Sequence, residues 1–177
     1  MRMRKLLNRL TRDERGVAAV EMAMVGGFFI IGAMNVTDVG RYAYLTSEVN
    51  AAAQGGAQAA LVACDVAHTP ATVNCPGLTA AVTTAIQSTG LGDNVTLDGQ
   101  ITEAYYCLDT SSTLQLAGPA SSKPSDCSGV PKAAAGATPT LYLQVPVTYT
   151  FQPIFPGLTF AQGFAPIVKR TAWMRMA

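Results

Sequence analysis

Four cysteines and a single histidine are the residues in this chain whose chemistry is easiest to weigh from type and spacing. Cys64, Cys75, Cys107 and Cys127 can either oxidise to disulfides or ligate a metal. A metal site would draw on Cys64, His68 and Cys75, but no C-x2-C knuckle and no second histidine complete a tetrahedral set. No metal and no cofactor are therefore expected. Local pairing, Cys64 with Cys75 and Cys107 with Cys127, closes loops of roughly 10–20 residues, each stabilising by about 3 kcal/mol in the chain-entropy account. Catalysis has less to work with. One histidine, no phosphate-binding glycine loop and no acid pair outside turns leave no acid–base constellation, so no catalytic residue is named and no enzyme is expected. Asn35-Val-Thr37 and Asn94-Val-Thr96 satisfy the N-glycosylation pattern, which is common by chance, and neither is given a role.

Disulfides need an oxidising compartment, so some element must carry the cysteines there. That element is the run Val17 to Val36, VAAVEMAMVGGFFIIGAMNV, in which Glu21 is the only ionisable residue. As a helix it spans about 30 Å, the thickness of a bilayer's hydrocarbon core. Residues 1–15 hold six basic and two acidic groups, a cytoplasmic signature that sends everything after Val36 across the membrane. An ordinary cleaved secretory signal fits poorly. Its apolar region is shorter, about 7–15 residues, and ends at a small-x-small site that is missing here. Glu21 costs free energy in lipid, though its place one turn into the run lets the headgroup region relieve part of it.

Helical periodicity continues beyond the span. Val39, Tyr42, Leu45, Val49, Ala52, Ala53, Gly56, Ala59, Ala60 and Ala63 recur at three- and four-residue steps, and no proline intervenes before Pro70. One helix over 17–63 is expected. Its small-residue face at Ala52, Ala53, Gly56 and Ala60 serves packing within the subunit or, alternatively, contact with another. Cys64 to Pro76 reads as a turn-rich connector, followed by a helix from Leu78 to Ser88 that Gly90 stops. A strand is expected over Val95–Leu108. Asp109–Thr138, rich in Ser, Gly, Pro and Ala, reads as a long flexible surface loop. Thr140–Gln152 alternates most clearly, with Leu141, Leu143, Val145, Val147, Tyr149 and Phe151 on one side. Its Pro146 lacks an N–H and suggests an edge strand or a bulge. Pro153–Pro166 reads as a hydrophobic connection, and Ile167–Met176 as a last strand. The organisation is thus a basic leader (1–16), a long helix (17–63) with its span at 17–36, and an extracytoplasmic α+β part (64–177).

The formal net charge of +1 conceals a division: the leader carries +4 and the remainder −3. Nothing downstream forms a basic stripe, and nucleic-acid binding is not expected. The N-terminal pattern adds a resemblance. Gly16 follows a basic stretch, Glu21 stands fifth after it, and the apolar run leaves through Asp38-x-Gly40-Arg41. This resembles the TadE-like minor pilins, or pseudopilins, of tight-adherence (type IVc) pili, although Met22 stands where the family usually has an aromatic residue. The resemblance covers about residues 12–60. It implies a pilin-like lollipop, with the long helix packed on a small antiparallel sheet, and cleavage by a prepilin peptidase between Gly16 and Val17. It also implies an assembly role for Glu21. The implied partners are the peptidase, the Tad secretion platform, and the major and other minor pilins. The implied place is the bacterial inner membrane, single-pass, with the head periplasmic and reaching the pilus or cell surface after assembly. An uncleaved, membrane-anchored periplasmic binding or adhesive domain is the alternative.

Overall fold

The structure of the chain, a computed structural model, describes residues 14–64 and 68–176, with side chains from Gly16 onward. Most of the expected basic leader, residues 1–13, lies outside the described residues. The fold is α+β. Helix α1 runs Glu14–Ala63, the short α2 is Ala71–Asn74, and α3 is Leu78–Gln87. Five strands follow: β1 (Val95–Leu97), β2 (Thr102–Leu108), β3 (Leu114–Pro119), β4 (Thr140–Thr150) and β5 (Ile167–Arg175). They form one antiparallel sheet. Two compact units divide the chain inside α1. One holds the chain up to Tyr42 with Gln152–Phe164, the other Ala43–Phe151 with the chain from Ala165 onward.

In the second unit β4 is the organising strand. Leu141, Leu143, Val145 and Val147 are fully buried, as period-two alternation requires when one face of a sheet is covered. The cover comes from α1 and α3. Val49, Ala52, Ala53, Ala57 and Ala60 of α1 are buried, as are Leu78, Val82 and Ile86 of α3. Gly56 marks the closest approach. A Cβ there would lie 2.8 Å from Ile86 Cγ2, 3.2 Å from Val82 Cγ1 and 3.4 Å from Val145 Cγ1. The small-residue face of α1 therefore packs within the subunit. On the sheet's other face Tyr106, Tyr142 and Trp173 meet edge-on, with ring centroids 5.0–6.5 Å apart.

Three expectations are corrected. First, β4 is not an edge strand. It pairs along one side with β5 and along the other with β1 and β2. In an antiparallel strand the N–H and C=O of one residue leave on the same side. The Pro146 carbonyl accepts from Asp98 N at 3.0 Å, so the missing Pro146 donor faces Asp98–Ile101, the gap between β1 and β2. Second, the strand expected over Val95–Leu108 is broken at that same gap, where Gly99 takes φ +94°.

Third, Asp109–Thr138 is not a structureless loop. It contributes β3, paired with β2, and a small core of Cys107, Cys127 and Val130 against Ala117, Ala133 and Ala137. Asp109 organises the turn into β3. Its carboxylate accepts from Ser111 N and Thr113 N at 2.8 Å and from Gln115 Nε2 at 3.1 Å. These bonds, that from Thr113 foremost, hold its carboxyl below the usual carboxylate range. Cys107 is bonded to Cys127, and Cys64 to Cys75.

The two adjacent glycines of α1 separate packing from propensity. Gly55 has open space where its Cβ would be. Gly55→Ala is expected to stabilise the detergent-solubilised chain by about 1 kcal/mol through helix propensity alone. Gly56→Val should destabilise it by about 1–3 kcal/mol through overpacking against Ile86 and Val82. Denaturant unfolding followed by near-UV circular dichroism checks both signs, and equal behaviour of the two variants contradicts the packing at Gly56.

Candidate functional site

The polar residues of the first unit gather where the apolar run of α1 ends. From Gly16 to Ile31 the described side chains of α1 are exposed, with only Gly26 and Gly27 half-buried. Phe28, Phe29, Ile30 and Ile31 are among the exposed bulky residues. Over Gly16–Ala63 the helix is long enough, and its N-terminal run apolar enough, to cross a membrane once, and it fits a single-pass anchor. Gly16 lies in its first turn and Glu21 one turn further on. Both are exposed, and Glu21 has no hydrogen bond or ion pair among the described residues. The structure thus puts the expected processing and assembly positions on one helix, both exposed.

The run ends on Asn35, Thr37 and Asp38. Asn35 Nδ2 donates to the Ile31 carbonyl at 2.8 Å, and Thr37 Oγ1 to that of Ala33 at 2.9 Å. These back-bonds satisfy side-chain polarity inside the helix, as needed where water is scarce. Asp38 does more. Although fully buried, it accepts from Ile154 N at 2.9 Å, Phe155 N at 3.2 Å and Thr159 Oγ1 at 2.8 Å. Asn35 Oδ1 accepts from Phe160 N at 2.8 Å. Arg41 Nη1 donates to the Gln152 carbonyl at 2.6 Å, and the Tyr42 ring lies 4.8 Å from that of Phe164. Four residues over two turns of α1 thereby hold the whole segment Gln152–Phe164.

That segment is shaped to be held. Phe155-Pro156-Gly157-Leu158 is a tight turn, with Leu158 N donating to the Phe155 carbonyl at 3.2 Å. Gly157 takes φ +84°, the conformation a type II turn demands after proline. A short 3-10 turn, Phe160–Gly163, follows. Its polar backbone faces α1, while Ile154, Leu158 and Phe160 are exposed.

Burial acts on Asp38 to raise its pKa. The Ile154 N–H, the Thr159 hydroxyl, the Phe155 N–H and nearby Arg41 outweigh it, and the carboxyl is held below the usual range. In the sequence, Asp38 and Arg41 show only as a helix-exit pattern. Their partners lie more than a hundred residues downstream, and no local signal marks such a bond. The expected cysteine pairs both lie in the second unit and are structural.

Residues 16–58 match the family model described as TadE-like protein, which starts at Gly16 and takes in Glu21, Asp38 and the glycine pair at 55–56. No curated protein and no solved structure matches the chain.

A folded pKa below the unfolded one makes the Asp38 contribution complete above the ordinary aspartate range and lost as pH falls through the lowered value. Amide resonances of Ile154 and Phe155 in the solubilised chain should therefore titrate together, with a midpoint below about 3.9, the unperturbed aspartate value. Asp38→Asn should abolish that titration and reduce hydrogen-exchange protection at both amides by about tenfold, since charge-assisted bonds are the stronger kind. Protection of the Val145 amide in β4 should not change. Unaltered protection at residues 154 and 155 in Asp38→Asn contradicts the anchoring role.

Proposed function

We propose that this chain is a minor pilin or pseudopilin needed to assemble a tight-adherence, type IV-like pilus. It is made as an inner-membrane precursor, cut after Gly16 by a prepilin peptidase, and delivered to the secretion platform with its head in the periplasm. Its role is structural, without a reaction of its own, and its partners are the major and other minor pilins. The observation that carries this reading is where the TadE-like match starts. It begins at Gly16, after the basic leader, and contains the apolar run with Glu21 at the fifth place beyond.

The physical chemistry of such a helix supports it. Gly16 offers the peptidase a backbone without a Cβ branch, and the space around it is open. Cleavage creates an α-amino group on Val17 beside the unpaired N–H groups of the first turn, a concentration of positive charge. Glu21, exposed one turn away, can pair with its own terminus or with that of a neighbouring subunit. In a low-dielectric assembly the pairing lowers the cost of burying both charges and fixes the axial register of adjacent helices.

Two variants test the two halves of the proposal. Gly16→Val should leave the full-length precursor in the membrane, lacking the shift of about 1.8 kDa expected when some 16 residues of ordinary mass are removed. N-terminal sequencing that finds a chain beginning at Val17 despite the substitution refutes the cut site. Wild-type chain recovered uncut from piliated cells supports the permanently anchored alternative instead. Glu21→Gln should insert, be cut and form both disulfides, yet fail to restore pili in a deletion strain. Normal piliation by that variant removes Glu21 from assembly.

A further inference from the structure

We infer that Gln152–Phe164 is a lipid-docking loop. It seats Ile154, Leu158 and Phe160 in the bilayer interface, in the leaflet where the α1 span ends. The depth follows from the anchors. Phe160 N is bound to Asn35, which lies inside the last turn of the apolar run, and Ile154 N and Phe155 N are bound to Asp38, three residues on. At about 1.5 Å per residue, that difference is only some 4–5 Å along the helix axis. The loop is thus fixed at the level where α1 passes from hydrocarbon to headgroups.

Its chemistry suits that level. Gln152–Phe164 contains no ionisable side chain, and three of its bulky apolar residues are exposed: Phe160 is 82% exposed, Leu158 58% and Ile154 51%. Irregular backbone is costly at membrane depth unless protein satisfies its polar groups. Here Asp38 and Asn35 accept three of the N–H groups, and Arg41 caps the Gln152 carbonyl. Pro153 and Pro156 have no N–H to satisfy. Charged and polar side chains of the exit turn are thereby spent on the loop's backbone, which leaves its outer surface apolar. A bilayer interface accepts such a surface by burying apolar area at the headgroup boundary. The occupant is lipid because the patch is continuous, through Asn35, with the lipid-facing run itself. The inference rests on α1 spanning a membrane and is independent of any role in pilus assembly.

The chain's single tryptophan, Trp173, can be replaced by Phe to give a silent background. In that background F160W, L158W and, as a marker of insertion, F28W are reconstituted in phosphatidylcholine–phosphatidylglycerol vesicles. The lipids carry bromine at either shallow or deep acyl positions. F28W should lose more fluorescence to deep bromines. F160W and L158W should lose it chiefly to shallow ones, with blue-shifted emission. F28W quenched with F160W and L158W unquenched overturns the inference, because the span is then inserted and the loop stays in water. Blue-shifted F160W emission that depends on protein concentration and ignores bromines also overturns it, in favour of a second copy as the occupant. Failure of F28W itself to quench refutes the spanning helix and the loop's docking with it.

Discussion

The Asp38 carboxylate is the interaction on which the first unit depends. A fully buried charge is tolerated only when its oxygens are saturated by donors, and here two backbone N–H groups and a hydroxyl supply them. The dependence is mutual. Without Asp38, Ile154 N and Phe155 N would have no partner in the positions they occupy; without the loop, a carboxylate would sit bare at the end of an apolar run. One residue therefore determines both where the helix stops being lipid-like and where a distant segment of chain comes to rest.

α1 meets two surroundings with one backbone geometry, and its sequence changes register between them. Before Asn35 the apolar residues run round the helix, as suits contact with lipid on all sides. After Tyr42 they narrow to a buried stripe of Leu45, Val49, Ala52, Ala53, Ala57 and Ala60. Small residues dominate the far end because β4 and α3 both approach there. Gly56 is the point at which no side chain fits, and its neighbour Gly55 has open space instead. Two identical residues side by side thus differ in purpose, one required by contact and the other costing helix stability with no compensating fit.

Much of this was legible in the sequence for physical reasons. Three- and four-residue periodicity unbroken before Pro70 specified α1, and strict alternation over Leu141–Val147 specified β4 and its buried face. Local periodicity cannot see what long-range bonds decide. β3 reads as LQLAGP, with little apolar bulk, and is held by pairing with β2 and by the small core around the Cys107–Cys127 bond. Pro146 was a true signal of irregularity given to the wrong strand: the break falls on the neighbour, where Gly99 adopts a left-handed φ. Gly16 and Glu21 stand out through the spacing that carries the family resemblance. Asp38 stood in the same motif, but its partners came from the far end of the chain.

The loop explains why an exit motif of this kind carries both an acid and a base. Asp38 accepts from backbone N–H groups and Arg41 donates to a backbone carbonyl, so the two residues satisfy opposite polarities of the same segment. Neither charge alone could do so. An acid leaves the Gln152 carbonyl unmet, and a base offers nothing to Ile154 and Phe155. Their spacing of three residues puts both on one face of α1, within reach of a single loop. Gly40, between them, meets nothing within 4 Å where a Cβ would stand. Its presence follows from no contact in this subunit, unlike the acid and base on either side. The motif's charged members are thus accounted for by the fold of one chain.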